Sequence, residues 1–184
     1  MDPSRSVLFI IDVQERLLPA MESAGAVANA CVFLGKAAAE AKVPVLVSEQ
    51  YPKGLGHTVP DVLAALRKPK IFEKTSFSVA GDARIVTHLR KLRAEKRRDQ
   101  VILCGIEAHV CVLQSALQLM QRGFEVFVAA DATSSRKVGS RDLALSRLAH
   151  AGVAPVSTEM VAFEWVQDSR SPIFKPVSAL VRSV

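Results

Sequence analysis

Short apolar runs rich in β-branched residues alternate with amphipathic stretches along almost the whole chain, and this rhythm restricts the fold more than any other feature. The apolar runs fall at 6–11, 44–48, 70–74, 100–105, 124–129 and 153–156. Between them lie stretches with three- and four-residue apolar spacing, predicting helices over about 25–41, 59–66, 82–94, 109–121, 140–151 and 158–166. The runs are apolar without polar alternation, so both faces of each strand are expected to be buried. Strand–helix alternation with such strands predicts an α/β fold: a three-layer α/β/α sandwich around a largely parallel, roughly six-stranded sheet of Rossmann-like type. No repeat, low-complexity tract or linker divides the sequence, so residues 1–184 are read as a single domain. The segment after Pro172 is expected to pack on the surface or on a partner subunit.

Composition narrows the class. A hydrophobic fraction of 49% with 23% charged residues fits a soluble globular protein. No apolar run approaches the roughly 20 residues of a membrane helix, and residues 1–6 form neither a signal nor a transit peptide. Cys31, Cys104 and Cys111 are odd in number and lack zinc-like spacing. A reducing, intracellular setting is therefore expected, cytoplasmic first, with mitochondrial import left open. The net charge is +6. Its densest stretch, Arg90 to Arg98, reads first as a solvated helix end with its loop, and second as a phosphate-binding patch.

In open α/β sheets ligands bind at the carboxyl ends of strands. The first strand ends in Asp12, the third in Glu73 and Lys74, and the fourth runs into Glu107, His109 and Cys111. A carboxylate, an amine and a thiol are thus expected at one edge. In the helix that follows, Leu113, Ala116, Leu117 and Met120 form the sheet-facing stripe. At 3.6 residues per turn, Cys111 lies about 160° from Leu113, outside that stripe. It also falls in the first turn, where free N–H groups favour a thiolate. Cys31 and Cys104 read as core residues. His109 is an alternative partner for the thiol, ranked behind Asp12. Asp131 is expected to hold the 133–135 loop through backbone N–H groups.

Asp12-Val13-Gln14, the 73–78 segment (EKTSFS) and the 105–112 segment (GIEAHVCV) together resemble the isochorismatase-like cysteine hydrolase superfamily, particularly its isochorismatase-domain-containing branch. The likeness runs from the first strand to Glu159. It implies a catalytic triad of Asp12, Lys74 and Cys111 acting on a small-molecule amide or related C–N bond. It further implies a cis peptide at Ile106–Glu107 and an oxyanion hole from the backbone N–H groups of Glu107 and Cys111. Gln14, Phe77 and His109 are expected to contact substrate.

Two departures refine this. Superfamily members that cleave a vinyl ether generally lack the cysteine, so Cys111 points away from that reaction. Nicotinamidases carry an Asp-x-His and a further His as metal ligands, where this chain holds only His57, so neither a metal nor another cofactor is expected. The family's habit implies a homo-oligomer, dimer or tetramer. A basic nucleic-acid-associated protein or ribonuclease on the same fold is the competing reading, though aromatic residues are only 5% of the chain. A scaffold that oligomerises without turnover is a third.

Overall fold

The structure, a computed structural model, describes residues 1–182. Ser183 and Val184, the end of the C-terminal segment considered above, lie outside the described residues. Strands β1 (Ser6–Ile11), β2 (Val45–Gln50), β3 (Lys70–Lys74), β4 (Gln100–Ile106), β5 (Glu125–Ser134) and β6 (Ala154–Val156) form one sheet in the order β3-β2-β1-β4-β5-β6. Every neighbouring pair is parallel. The helices are α1 (Ala24–Glu40), α2 (Pro52–Leu55), α3 (Pro60–Ala64), α4 (Ala83–Lys96), α5 (Leu113–Gln121), α6 (Val138–His150), α7 (Thr158–Val166) and α8 (Phe174–Val181).

The sheet's pleat explains the unbroken apolar runs. On β1, Leu8 and Ile10 enter one core with Leu34 of α1, Val161 and Trp165 of α7, and Val177 of α8. Val7, Phe9 and Ile11 enter the other with Ile85 and Leu89 of α4, Ala116 of α5 and Leu148 of α6. Successive side chains of a strand point to opposite faces, and helices cover both, so a polar residue at either phase would be stranded. The indole Nε1–H of Trp165 donates to Ser6 Oγ at 3.0 Å, fastening α7 to the start of β1. Among the described residues no helix is long and apolar enough to cross a membrane.

The differences from expectation are local. A short helix, α2, occupies part of the turn-rich 50–56 stretch, and β5 extends to Ser134 past a register shift opposite Leu103 to Gly105. The helix expected from residue 109 begins instead as a π-turn over Ala108–Val112 and becomes α-helical at Leu113. The C-terminal segment folds as α8 against α1 and α7 of its own chain.

Candidate active site

The strand order reverses between β1 and β4: from β1 the chain steps outward to β2 and β3, from β4 outward to β5 and β6. Loops leaving two such strands diverge and open a crevice at their carboxyl ends. Asp12 leaves β1 on one side, and the Ile106–Glu107 peptide, which is cis, leaves β4 on the other. Ile11 pairs with Gly105 directly beneath. Gly105 has φ +111°, and a Cβ there would stand 2.1 Å from the Ile11 carbonyl oxygen. Only glycine lets β4 pass so close to β1 at the floor of the crevice.

Asp12 and Lys74 meet with no side-chain surface exposed, the ammonium Nζ donating to Asp12 Oδ2 at 2.7 Å. Ser48 Oγ of β2 donates to the other carboxylate oxygen at 2.7 Å. Lys74 Nζ also reaches Gln50 Oε1 at 2.8 Å and the carbonyls of Phe77 and Ser76 at 3.1 and 3.2 Å. A buried charge needs this density of partners, because each unmet hydrogen bond would carry the full cost of desolvation.

Cys111 is 5% exposed, and its thiol and the Asp12 carboxylate are near enough for each to shift the other's proton affinity. Burial raises the Asp12 carboxyl above its ordinary range, and Lys74, Ser48 and Cys111 offset only part of that rise. Burial, and next the negative charge of Asp12, push the Cys111 thiol up to about 12, against the opposing pull of Lys74 and the Glu107 backbone N–H. The expected thiolate at a helix start is therefore corrected: the resting sulfur is a neutral thiol beside a carboxylate. The expected stripe is corrected too. In the π-turn, the N–H of Val112 bonds the carbonyl of Glu107 and that of Leu113 bonds Ala108, five residues back. The wider turn breaks the 100° phase relation, so Cys111, Val112, Leu113, Ala116 and Leu119 are all buried in the second core, with Leu117 and Met120 at its margin.

The remaining candidates separate. The Gln14 amide donates to the carbonyls of Gln50 and Gly56 and accepts from the Gln50 N–H, so it ties the 50–56 loop to β1 and has no donor left for a substrate. Phe77 is 54% exposed at the rim, with its carbonyl on Lys74. His109 bonds Ser135 Oγ through Nδ1 at 2.9 Å and not Cys111, so no Cys–His dyad forms. The Glu107 carboxylate takes both the backbone N–H and Nε of Arg136 at 3.1 Å. Asp131 accepts from the N–H and hydroxyl of Thr158 at the start of α7, and not from the 133–135 loop. Glu49 holds His57 Nδ1 at 2.9 Å and the Thr58 N–H at 2.8 Å, closing the 50–57 loop over Gln14. Among the described residues no group of three or more His, Cys, Asp or Glu side chains could hold a metal ion.

Sequence reasoning missed Ser48, Gln50 and Arg136. Ser48 had a visible signal: it is the first polar residue after Val45-Leu46-Val47 and pairs in register with Ile11, one residue before Asp12. Gln50 and Arg136 gave none: the sequence around Gln50 is turn-rich, although the structure makes it the last residue of β2, and a polar residue in a loop such as Arg136 is the ordinary case.

A parallel, doubly wound sheet with its crevice at the β1/β4 reversal is the architecture of the Rossmann-like α/β class. Within it, the chain belongs to the isochorismatase family, whose domain model matches residues 6–160. It is similar to isochorismatase domain-containing protein 1 of Danio rerio, 40% identical over 99% of this chain, which spans 62% of that relative's length. Isochorismatase family protein 1A of Dictyostelium discoideum is 35% identical, the match covering 98% of this chain and 87% of that one. Among solved structures, the MAR1 ribonuclease of Caenorhabditis elegans superimposes with a TM-score of 0.92 at 37% identity, covering 99% of this chain and 92% of that one.

Proposed function

We propose that this chain is a cysteine hydrolase of small amides or related C–N bonds. The observation that carries the reading is the buried Asp12 carboxylate, anchored by Lys74 and Ser48, with the buried Cys111 thiol close enough to feel its charge. A thiol pushed up to about 12 is not nucleophilic at rest, so its proton must leave during attack, and Asp12 is the acceptor within reach. Its raised carboxyl is better suited to hold that proton than an ordinary aspartate. The sulfur then attacks the amide carbon, and the backbone N–H groups of Glu107 and Cys111 receive the oxyanion. Asp12 returns the proton to the departing nitrogen, releasing ammonia or an amine and leaving a thioester on Cys111. Water, deprotonated by Asp12, opens the thioester; the acid leaves and the proton goes back to sulfur. The Lys74 ammonium, bonded to Asp12, compensates the negative charge that moves between Asp12 and the oxyanion.

Phe77, exposed beside Lys74, and His109 are assigned to substrate contact in this scheme, which uses no metal or cofactor. The exposed apolar side chains Val138 and Leu143 on α6, 47% and 73% exposed, favour a homo-oligomer. Three free thiols agree with a reducing compartment.

The test is a screen of small amides for ammonia release, with intact-protein mass spectrometry of the stalled reaction. An acyl adduct on Cys111, and a loss on the order of 10³-fold or more in Cys111→Ala, are expected. Turnover that survives in Cys111→Ala sinks the reading. The nematode neighbour's designation as a ribonuclease favours a second reading, RNA cleavage at the same crevice. Cleavage of RNA that disappears with Cys111→Ala would establish it; cleavage that persists would not involve this site.

A further inference from the structure

The opposite edge of the sheet carries a second feature, unrelated to the thiol. Where β2 and β3 begin, a groove of about 530 Å³ is lined by Lys42, Arg67, Lys68, Lys70, Lys96 and Arg98, with His88 beside them. Val43, Val45, Leu46 and Leu92 form its floor, and no carboxylate lines it. Among the described residues none of the six cations has an ion-pair partner, whereas Arg84 and Lys91 just beyond are matched by Asp82 and Glu95. Arg98 is anchored, donating to the carbonyls of Pro3 and Ser6 at 2.8 and 2.6 Å. Lys70 Nζ stands 3.5 Å from His88 Nδ1, and His88 is held below its ordinary range by burial and then by the charges of Lys70 and Lys91. Asp2 acts on Arg98 from outside the groove, and no carboxylate stands among the groove's own lining.

Two further observations separate this groove from a chance scatter of lysines. Lys42, just past the end of α1, and Lys68, in the loop before β3, have φ of 55° and 50°, the left-handed region that glycine enters at least cost. Long basic side chains occupy both positions. The macrodipole accounts for a cation at the end of a helix, but Lys70 begins a strand and Arg98 leads into one. The groove also continues: a neighbouring hollow of about 610 Å³ shares Lys70, His88, Leu92 and Lys96, and its one carboxylate, Glu95, is matched by Lys91. An elongated track of charge suits a chain of phosphates better than a single compact anion.

We propose that this basic groove binds the phosphate backbone of RNA, without base specificity and away from the thiol crevice. Its aromatic surface is slight, Phe72 under Lys70 being 8% exposed and His88 half-buried, so the phosphates and not the bases supply the contacts. It lies at the strand starts, whereas Asp12 and Cys111 lie past the strand ends, so binding does not need Cys111. The inference stands apart from the hydrolase reading.

Fluorescence anisotropy of the full chain with a short labelled oligouridylate, across about 50–200 mM salt, tests it. With about six phosphates neutralised, log K is expected to fall against log salt with a slope near −4. Arg67→Gln, Lys68→Gln and Lys96→Gln combined, all exposed, should reduce the slope by about 2 and weaken binding about tenfold or more, with Tm unchanged. Cys111→Ala should bind as wild type does. The proposal is overturned by no binding at the lowest salt, or by an unchanged slope in the triple variant. Capture by phosphatidylserine vesicles in place of the oligouridylate also overturns it, in favour of a membrane surface.

Discussion

Asp12, Lys74 and Cys111 differ in what their surroundings do to a proton, and that difference makes the residue-scale predictions. The negative charge of Asp12 is one reason the Cys111 thiol is raised. Asp12→Asn removes it and leaves the Lys74 charge facing the sulfur. Iodoacetamide labelling of Cys111 near neutral pH is then expected to quicken by about tenfold per unit of lowered thiol pKa, while amide hydrolysis falls. Slower labelling in Asp12→Asn would contradict the electrostatic account. The same raised thiol predicts how stability depends on pH. An unfolded thiol titrates near 9.0, whereas folded Cys111 keeps its proton up to about 12. Between those values the folded state holds the extra proton, so Cys111 contributes a loss of stability as pH rises. Urea unfolding at rising pH should show the wild type losing ground against Cys111→Ala; a constant gap between the two would refute it.

At the scale of elements, the crevice depends on how β1 and β4 sit together and on what clamps them. Gly105→Ala would place a methyl at 2.1 Å from the Ile11 carbonyl at φ +111°. The strands must then part where Asp12 and the 107–111 turn are set. Thermal melting of Gly105→Ala is expected to show a marked loss of stability, and Cys111 labelling a site no longer protected. Trp165 is 2% exposed and bonded to Ser6, so Trp165→Ala should cost about 3–5 kcal/mol. That corresponds to a fall in Tm on the order of 10 °C, readable by calorimetry; a shift within a degree or two would mean that α7 does not brace β1. The secondary structure was legible because strand and helix periodicities are local. The π-turn was not. A widened turn leaves no trace in apolar spacing, and the assumed 100° phase set Cys111 apart from Leu113 and Ala116, with which it is buried.

At the scale of the whole molecule, Leu143 on α6 is 73% exposed and Val138 47%. Exposed apolar surface of this kind is relieved by association. Sedimentation at micromolar concentration is expected to give a multiple of 19.9 kDa, and Leu143→Asp to reduce it. A 19.9 kDa species for the wild type would remove the oligomer from the proposal.

The sequence alone determined the strand–helix alternation, the burial of the strands on both faces, and Asp12, Lys74 and Cys111 as strand-end groups. Each of those follows from local periodicity or from a residue's place at the end of a run. Tertiary structure decided the rest. It set β1 beside β4, brought Ser48, Gln50 and two carbonyls onto Lys74, and turned Gln14 from an open amide into a loop anchor. It made Cys111 a protonated thiol, and it gathered cations from the turn after α1, the 67–70 stretch, α4 and the approach to β4 into one groove. Desolvation and charge proximity depend on distances between segments remote in the chain, and a linear sequence does not contain those distances.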